Sequence, residues 1–216
     1  MDFRLDIIID YLPLILKGAM LTIGISLLSI FLGSILGLII AFGKMSSRMF
    51  LSLPMSAYIN FFRGTPLYVQ ILMVHFGLIP LVLGRTDPIA AAIIALSLNS
   101  AAYTAEIFRA GIQSMSAGQL EAAYSLGMSH RQAMQFIILP QAIKRMIPAF
   151  GNEFIVLVKD SSLVAIIAAP EIMYWSNGMS GQYSRIWEPY LFASLIYFIL
   201  TYSLSKLLNV LERKLA

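Results

Sequence analysis

From Gly18 to Gly43 the chain runs for 26 residues without a charge, and a stretch of that length leaves it little choice of medium. About 20 apolar residues in a helix cross the roughly 30 Å hydrocarbon core of a bilayer, where the backbone must satisfy its own polar groups. The run is longer than the core of a secretory signal, and the residues before it include Asp2, Asp6 and Asp10 rather than a basic cluster. A retained span is therefore expected, not a cleaved leader. Composition agrees, with 59% hydrophobic residues, 12% charged residues and a mean hydropathy of +0.81; a soluble domain carries about a quarter charged residues. Cysteine is absent, which removes any disulfide framework or thiolate metal site. The net charge of +4 comes from dispersed Lys and Arg, which fit membrane orientation better than a nucleic-acid surface.

Reading the apolar runs in order predicts an all-α membrane protein, one transmembrane domain over 1–216 with five spans at about 12–42, 51–83, 89–111, 143–169 and 189–208. The second should break or bend at Arg63-Gly64-Thr65-Pro66. Gly33, Gly37 and Ala41 place small residues on one face of the first, where another helix can approach closely. Five spans put the termini on opposite sides. The side with the first turn, the loop 113–140 and the C-terminus holds Lys44, Arg48, Arg109, Arg131, Lys144, Arg145, Lys206, Arg213 and Lys214. The other holds only Arg4, Lys17, Arg85 and Arg185, together with acids that include Asp87, Glu171 and Glu188. The positive-inside bias makes the first side cytoplasmic, with the N-terminus outside.

The loop 113–140 is polar but built for helix. Ser116 with Gln119, and Ser129 with Gln132, have the spacing of capping boxes, so helices are expected from about Ala117 to Leu126 and from Arg131 to about Ile138. Gly127 suits a left-handed stop between them, and Pro140 marks re-entry into the membrane. The order Glu121-Ala122-Ala123, three residues, Gly127, nine residues, Ile137, one residue, Leu139-Pro140 resembles the EAA loop with which membrane subunits of ATP-binding-cassette importers grip their ATPase.

Three further stretches extend the resemblance over about residues 15 to 212. They are Phe62-Arg63-Gly64-Thr65-Pro66-Leu67-x-Val69-Gln70, the run from Asn99-Ser100-Ala101-Ala102-Tyr103 through Glu106 and Arg109 to Ile112, and Gly151-Asn152-Glu153-Phe154-Ile155 through Lys159-Asp160-Ser161-Ser162-Leu163. Together they are similar to the permease subunits of polar amino acid importers of the type I fold, the histidine, glutamine and arginine permeases. The resemblance implies that Glu121, Ala122, Ala123 and Gly127 contact an ATPase dimer, that ATP and Mg bind that dimer and no cofactor binds this chain, and that transport runs by alternating access. It also implies a second permease chain, identical or homologous, an extracytoplasmic binding protein, a polar or basic L-amino acid, and a multi-pass place among the lipids of a bacterial inner membrane.

Ionisable side chains at membrane depth cost roughly 2.5 to 3.5 kcal/mol each on insertion scales and line a pathway or pair with one another. Counting from Arg145, Glu153 lies about 12 Å deep and Asp160 about 22 Å at 1.5 Å per residue. Seven residues apart, they share a helix face, with Lys159 on a neighbouring one. A zwitterion matches this set: Lys159 for the α-carboxylate, Asp160 for the α-ammonium, Glu153 for a polar or cationic side chain, and Asn99 as a neutral partner. The competing reading is an internal ion pair of Lys159 with a carboxylate. Arg63 is expected to cap carbonyls freed before Pro66, and Glu106 to pair with Arg109.

Other classes are weaker. No catalytic or metal site is expected, and the nearest approach to a phosphate-binding loop, Gly37 to Gly43-Lys44-Met45, has five residues between the glycines and no following Ser or Thr. Gly178-Met179-Ser180-Gly181 matches a serine nucleophile motif, yet His75 and His130 fall in other segments, which disfavours an intramembrane serine protease. An ion-coupled carrier could use the same buried charges, but the loop argues for an ATP-driven importer.

Overall fold

The computed structural model describes residues 3–215, and helices connected by short turns account for nearly all of them, with no strand among the described residues. Asp2, named above among the acids before the first span, lies outside the described residues. The first helix, α1 (Leu5–Lys44), is 40 residues long, about 60 Å at 1.5 Å per residue. It starts before the expected residue 12 because its early turns bury Ile7 and Ile15 against Ile172 and Met179.

The second span breaks where the sequence says it must. Helix α2 (Met49–Gly64) stops at Thr65, whose φ of −117° and ψ of 150° are the extended values that a following proline imposes. Helix α3 (Leu67–Met73) then leaves at 108° to α2 and continues through a π-helical turn, Val74–Leu78, into α4 (Ile79–Leu83). Gly84, at φ +67°, ends it. Asp87 caps the next helix, α5 (Pro88–Gln113), by accepting from the amides of Ile89 and Ala90 at 3.1 and 3.0 Å.

Helices α6 (Ala117–Ser125) and α7 (His130–Ala133) form the loop. From α7 the chain passes without interruption through a second π turn, Met134–Ile138, into α8 (Leu139–Asp160). Pro140 thus sits inside a continuous helical path rather than at a gap. Both π turns directly precede a residue followed by proline, Ile79-Pro80 and Leu139-Pro140. A proline ring collides with the carbonyl four residues back, and widening the preceding turn to five-residue spacing relieves that collision without breaking the helix. A 3₁₀ turn, Ser161–Ile167, closes α8; α9 (Ile172–Tyr183) and α10 (Trp187–Leu215) follow.

The packing of α1 on α5 holds the bundle together, and it rests on small residues. A Cβ on Gly37 would lie 2.1 Å from Thr104 Oγ1 and 2.9 Å from the Ala101 carbonyl; one on Gly33 would lie 3.0 Å from Ser100 Cβ. Facing them are the fully buried Ala101, Ala102 and Ala105. Thr104 Oγ1 lies 3.0 Å from the Gly33 carbonyl, a bond that only close approach permits. Ile25, Leu96 and Leu157 join α1, α5 and α8 in one apolar core, into which Ile71 and Val164 also pack.

By length and composition α1, α5 and α10 can each cross a membrane, and the bent pair α2 with α3–α4 makes a fourth crossing if counted as one. Helix α8 occupies most of the expected 143–169 span but carries Lys144, Arg145, Glu153, Lys159 and Asp160, too many charges to pass as a lipid-facing helix; Ala142, Met146, Leu157 and Val158 are buried in the bundle, while Ile143 and Val156 are exposed. Helix α9 was not anticipated. Its cap is Glu171, which the sequence reading placed among outer-surface acids and which is in fact fully buried. The carboxylate accepts from the Tyr174 amide at 2.8 Å and the Tyr197 hydroxyl at 2.5 Å, tying α9 to α10, while Gly18 lets α1 touch the Glu171 backbone.

Candidate functional site

Two features carry chemistry, the 113–140 loop and a cleft beside it. In the loop, Ser116 accepts from the Gly118 amide at 3.3 Å, and Ser129 with Gln132 forms the full reciprocal capping box. Gly127 takes φ +77°. Its amide bonds the Tyr124 carbonyl at 2.9 Å and the Met128 amide bonds the Ala123 carbonyl at 3.1 Å, the pair of bonds that terminates a helix through a left-handed glycine. Ala123 is buried against the rest of the loop, while Glu121, Ala122 and Gly127 are exposed. Arg145 Nη1 donates to the Ser114 carbonyl at 2.9 Å, and Gln141 Nε2 lies 3.3 Å from Gln119 Oε1, so the loop is tied to α8. These bonds form a path from α6 and its flanking turn into the bundle.

That path leads to a cleft of about 740 Å³ between α2, α5 and α8, lined among others by Arg63, Tyr103, Glu106, Arg145, Asn152 and Glu153. Its volume suits a small molecule. Glu106 is already neutralised: its carboxylate meets Lys44 Nζ at 2.7 Å and Arg109 at 2.8 Å. The expected pair with Arg109 is present, and Lys44 adds a link to α1. Glu153 has no cationic partner within 4.0 Å among the described residues, and neither do Asp160 and Lys159 with each other or with any other group. Lys159 and Asp160 lie one to two turns beyond Glu153 on α8, outside the cleft lining; Lys159 is exposed and Asp160 half-buried.

Asn99 is placed elsewhere. It is buried, and its amide donates to Gln70 Oε1 at 2.9 Å and to the Phe62 carbonyl at 3.3 Å. Gln70 in turn donates to the Phe62 carbonyl at 2.9 Å and to Thr65 Oγ1 at 2.8 Å. These two amides satisfy the carbonyls freed at the break in α2, the task expected of Arg63. Arg63 instead lays its guanidinium 5.3 Å from the centre of the Tyr103 ring and faces the cleft. The role of Gln70 was missed, although a Gln four residues past a Thr-Pro break is a signal that could have found it. Among the described residues no three His, Asp or Glu side chains converge as a metal site.

A family model for the binding-protein-dependent transport system inner membrane component matches residues 31–216. The chain belongs to that family. The arginine transport system permease protein ArtQ of Bacillus subtilis (strain 168) is 39% identical over 216 residues, covering 100% of this chain and 98% of ArtQ. The glutamine transport system permease protein GlnP of Escherichia coli (strain K12) is 33% identical over 217 residues, covering 100% and 99%. A crystal structure of an amino acid ABC transporter with histidines superposes with a TM-score of 0.93 at 42% identity, covering 99% of this chain and 100% of that one. The molecule is thus an importer permease, the membrane-embedded translocating component of an ATP-driven system, working with an ATPase and a substrate-binding protein. Members of this family are transport components, not catalysts.

Proposed function

We propose that this permease imports a basic L-amino acid and that Glu153 is the acidic contact for its side chain. The observation that carries the reading is an unpaired carboxylate in a cleft of about 740 Å³ beside the loop. An ionised group at that depth without a partner is costly unless a ligand cation visits it. Asp160 and Lys159, equally free of ion pairs, continue the pathway along α8 and serve the α-ammonium and α-carboxylate of substrate passing the outer end. The lack of a salt bridge at Lys159 among the described residues argues against a purely internal ion pair. Asn99 contributes as a buttress of the α2 break that borders the cleft.

The architecture follows from the same reading. One domain over 1–216 makes five crossings, α8 being the fourth because its charges face the pathway and a second permease chain, identical or homologous, covers the rest. The N-terminus is outside and the C-terminus cytoplasmic in a bacterial inner membrane. Glu121, Ala122 and Gly127 present the coupling surface, with the buried Ala123 seating α6 on the rest of the loop, to an ATPase dimer that binds ATP and Mg, and an extracytoplasmic binding protein delivers substrate. Replacing Glu153 by Gln tests the site: L-arginine, L-lysine or L-histidine should then no longer stimulate ATP hydrolysis in liposomes holding the complete importer, and undiminished stimulation by all three would reject the assignment.

A further inference from the structure

We infer that Arg63 is the group that grips the α-carboxylate of a substrate seated in the cleft, an assignment that rests on the cleft being the substrate site. In the lining, four side chains carry charge: Arg63, Glu106, Arg145 and Glu153. Glu106 is committed to Lys44 and Arg109, and Arg145 donates to the Ser114 carbonyl at the loop end. Away from the loop end, where Arg145 is held, that leaves one cation and one anion, Arg63 on α2 and Glu153 on α8, on different walls and neither in an ion pair among the described residues. An amino acid with a basic side chain presents the complementary charges, a carboxylate at one end and a cation at the other.

Arg63 is also held ready. Its backbone belongs to the last turn of α2, where the preceding carbonyl, that of Phe62, accepts from both Asn99 and Gln70. Its guanidinium is positioned over Tyr103, itself a lining residue. A planar guanidinium resting on an aromatic face keeps its edge donors free, and those donors match a carboxylate in a two-point bond that a lysine ammonium cannot reproduce. The buried amides Asn99 and Gln70 thereby acquire a purpose: they fix the broken end of α2 and with it the backbone from which this side chain reaches Tyr103 in the cleft lining.

The test compares L-arginine with agmatine, the same molecule without its carboxylate, by direct binding to the purified permease–ATPase complex in the absence of receptor protein. The wild-type complex should prefer L-arginine by about tenfold or more, the worth of one charge-assisted pair. Arg63→Gln should bring the two ligands to within about twofold by weakening L-arginine alone, and Arg63→Lys should fall between. Arg85→Gln, which removes an exposed cation outside the cleft lining, should keep the wild-type preference. A preference retained in Arg63→Gln overturns the inference, as does a wild-type complex that binds both ligands equally; a preference retained in Arg63→Gln but lost in Lys159→Gln moves the carboxylate to Lys159. If Glu153→Gln leaves binding of both ligands unchanged, it is the cleft itself, not Arg63, that has been misread. Co-purification of the ATPase with each variant confirms assembly, and the lysine variant keeps the test open should Arg63→Gln fail to fold.

Discussion

Glu153, unlike Glu106 and Glu171, makes no salt bridge and caps no helix among the described residues. Glu106 holds Lys44 and Arg109, and Glu171 caps α9 and bonds Tyr197; each is consumed by the fold. Glu153→Gln should therefore weaken binding of a basic amino acid by about 10- to 100-fold, the loss of a charge-assisted bond of about 1.5–3 kcal/mol, with little change in thermal stability. Asn99→Ala and Gln70→Ala should do the reverse. Each leaves buried carbonyls or amides unpaired and should cost about 1–3 kcal/mol, read as a lower melting temperature of the detergent-purified complex. The sequence made the charged residues of α8 conspicuous because charge at membrane depth is rare. It could not separate Asn99 from them, since an amide that braces a helix break and one that touches substrate have the same letters around them. Nor could it give Arg63 its direction, which depends on Gln70 having already satisfied the carbonyls.

At the scale of the element, glycine decides how closely α1 and α5 approach. Gly37→Ala puts a methyl against Thr104 and the Ala101 backbone, which cannot yield, and should cost about 1–3 kcal/mol as overpacking. Gly24→Ala, on the same helix but with no atom within 4 Å of the added Cβ, should be neutral or stabilise by up to about 1 kcal/mol. Thermal unfolding of the two variants side by side checks this, and equal melting temperatures would count against the packing described. Small-residue spacing foretold the contact but not its partner, because Gly33 and Gly37 fit any close neighbour. The loop helices were readable for a local reason: Ser129 with Gln132 and the left-handed Gly127 act within a few residues of themselves. Helix α9 was hidden by the opposite circumstance, its start being fixed by a buried Glu171 that reaches Tyr197, 26 residues away. The π turns too become visible only once a helix is seen to run through Pro80 and Pro140.

In the proposed mechanism the whole molecule couples a surface loop to a cleft through helices that pack tightly, and the orientation proposed for it rests on the distribution of Lys and Arg. The chain has no cysteine, so single replacements report accessibility without background. Ser125→Cys, in the exposed loop, should react with an impermeant thiol reagent only from the cytoplasmic face of membrane vesicles, and Thr86→Cys, in the turn before α5, only from the other; the opposite pattern inverts the topology. Apolar length made α1, α5 and α10 plain from sequence, whereas α8 carries too many charges to be recognised by apolar length alone. The central claim is that ATP-driven closure in a separate motor reaches the cleft through the exposed edge of α6. Its most direct measurement places a cysteine at Ala122 in liposomes containing permease and ATPase and joins it to neighbouring amines with a short thiol-to-amine reagent. The account predicts a cross-link to the ATPase whose yield changes when ATP is added; a cysteine that joins no ATPase, in either state, contradicts it.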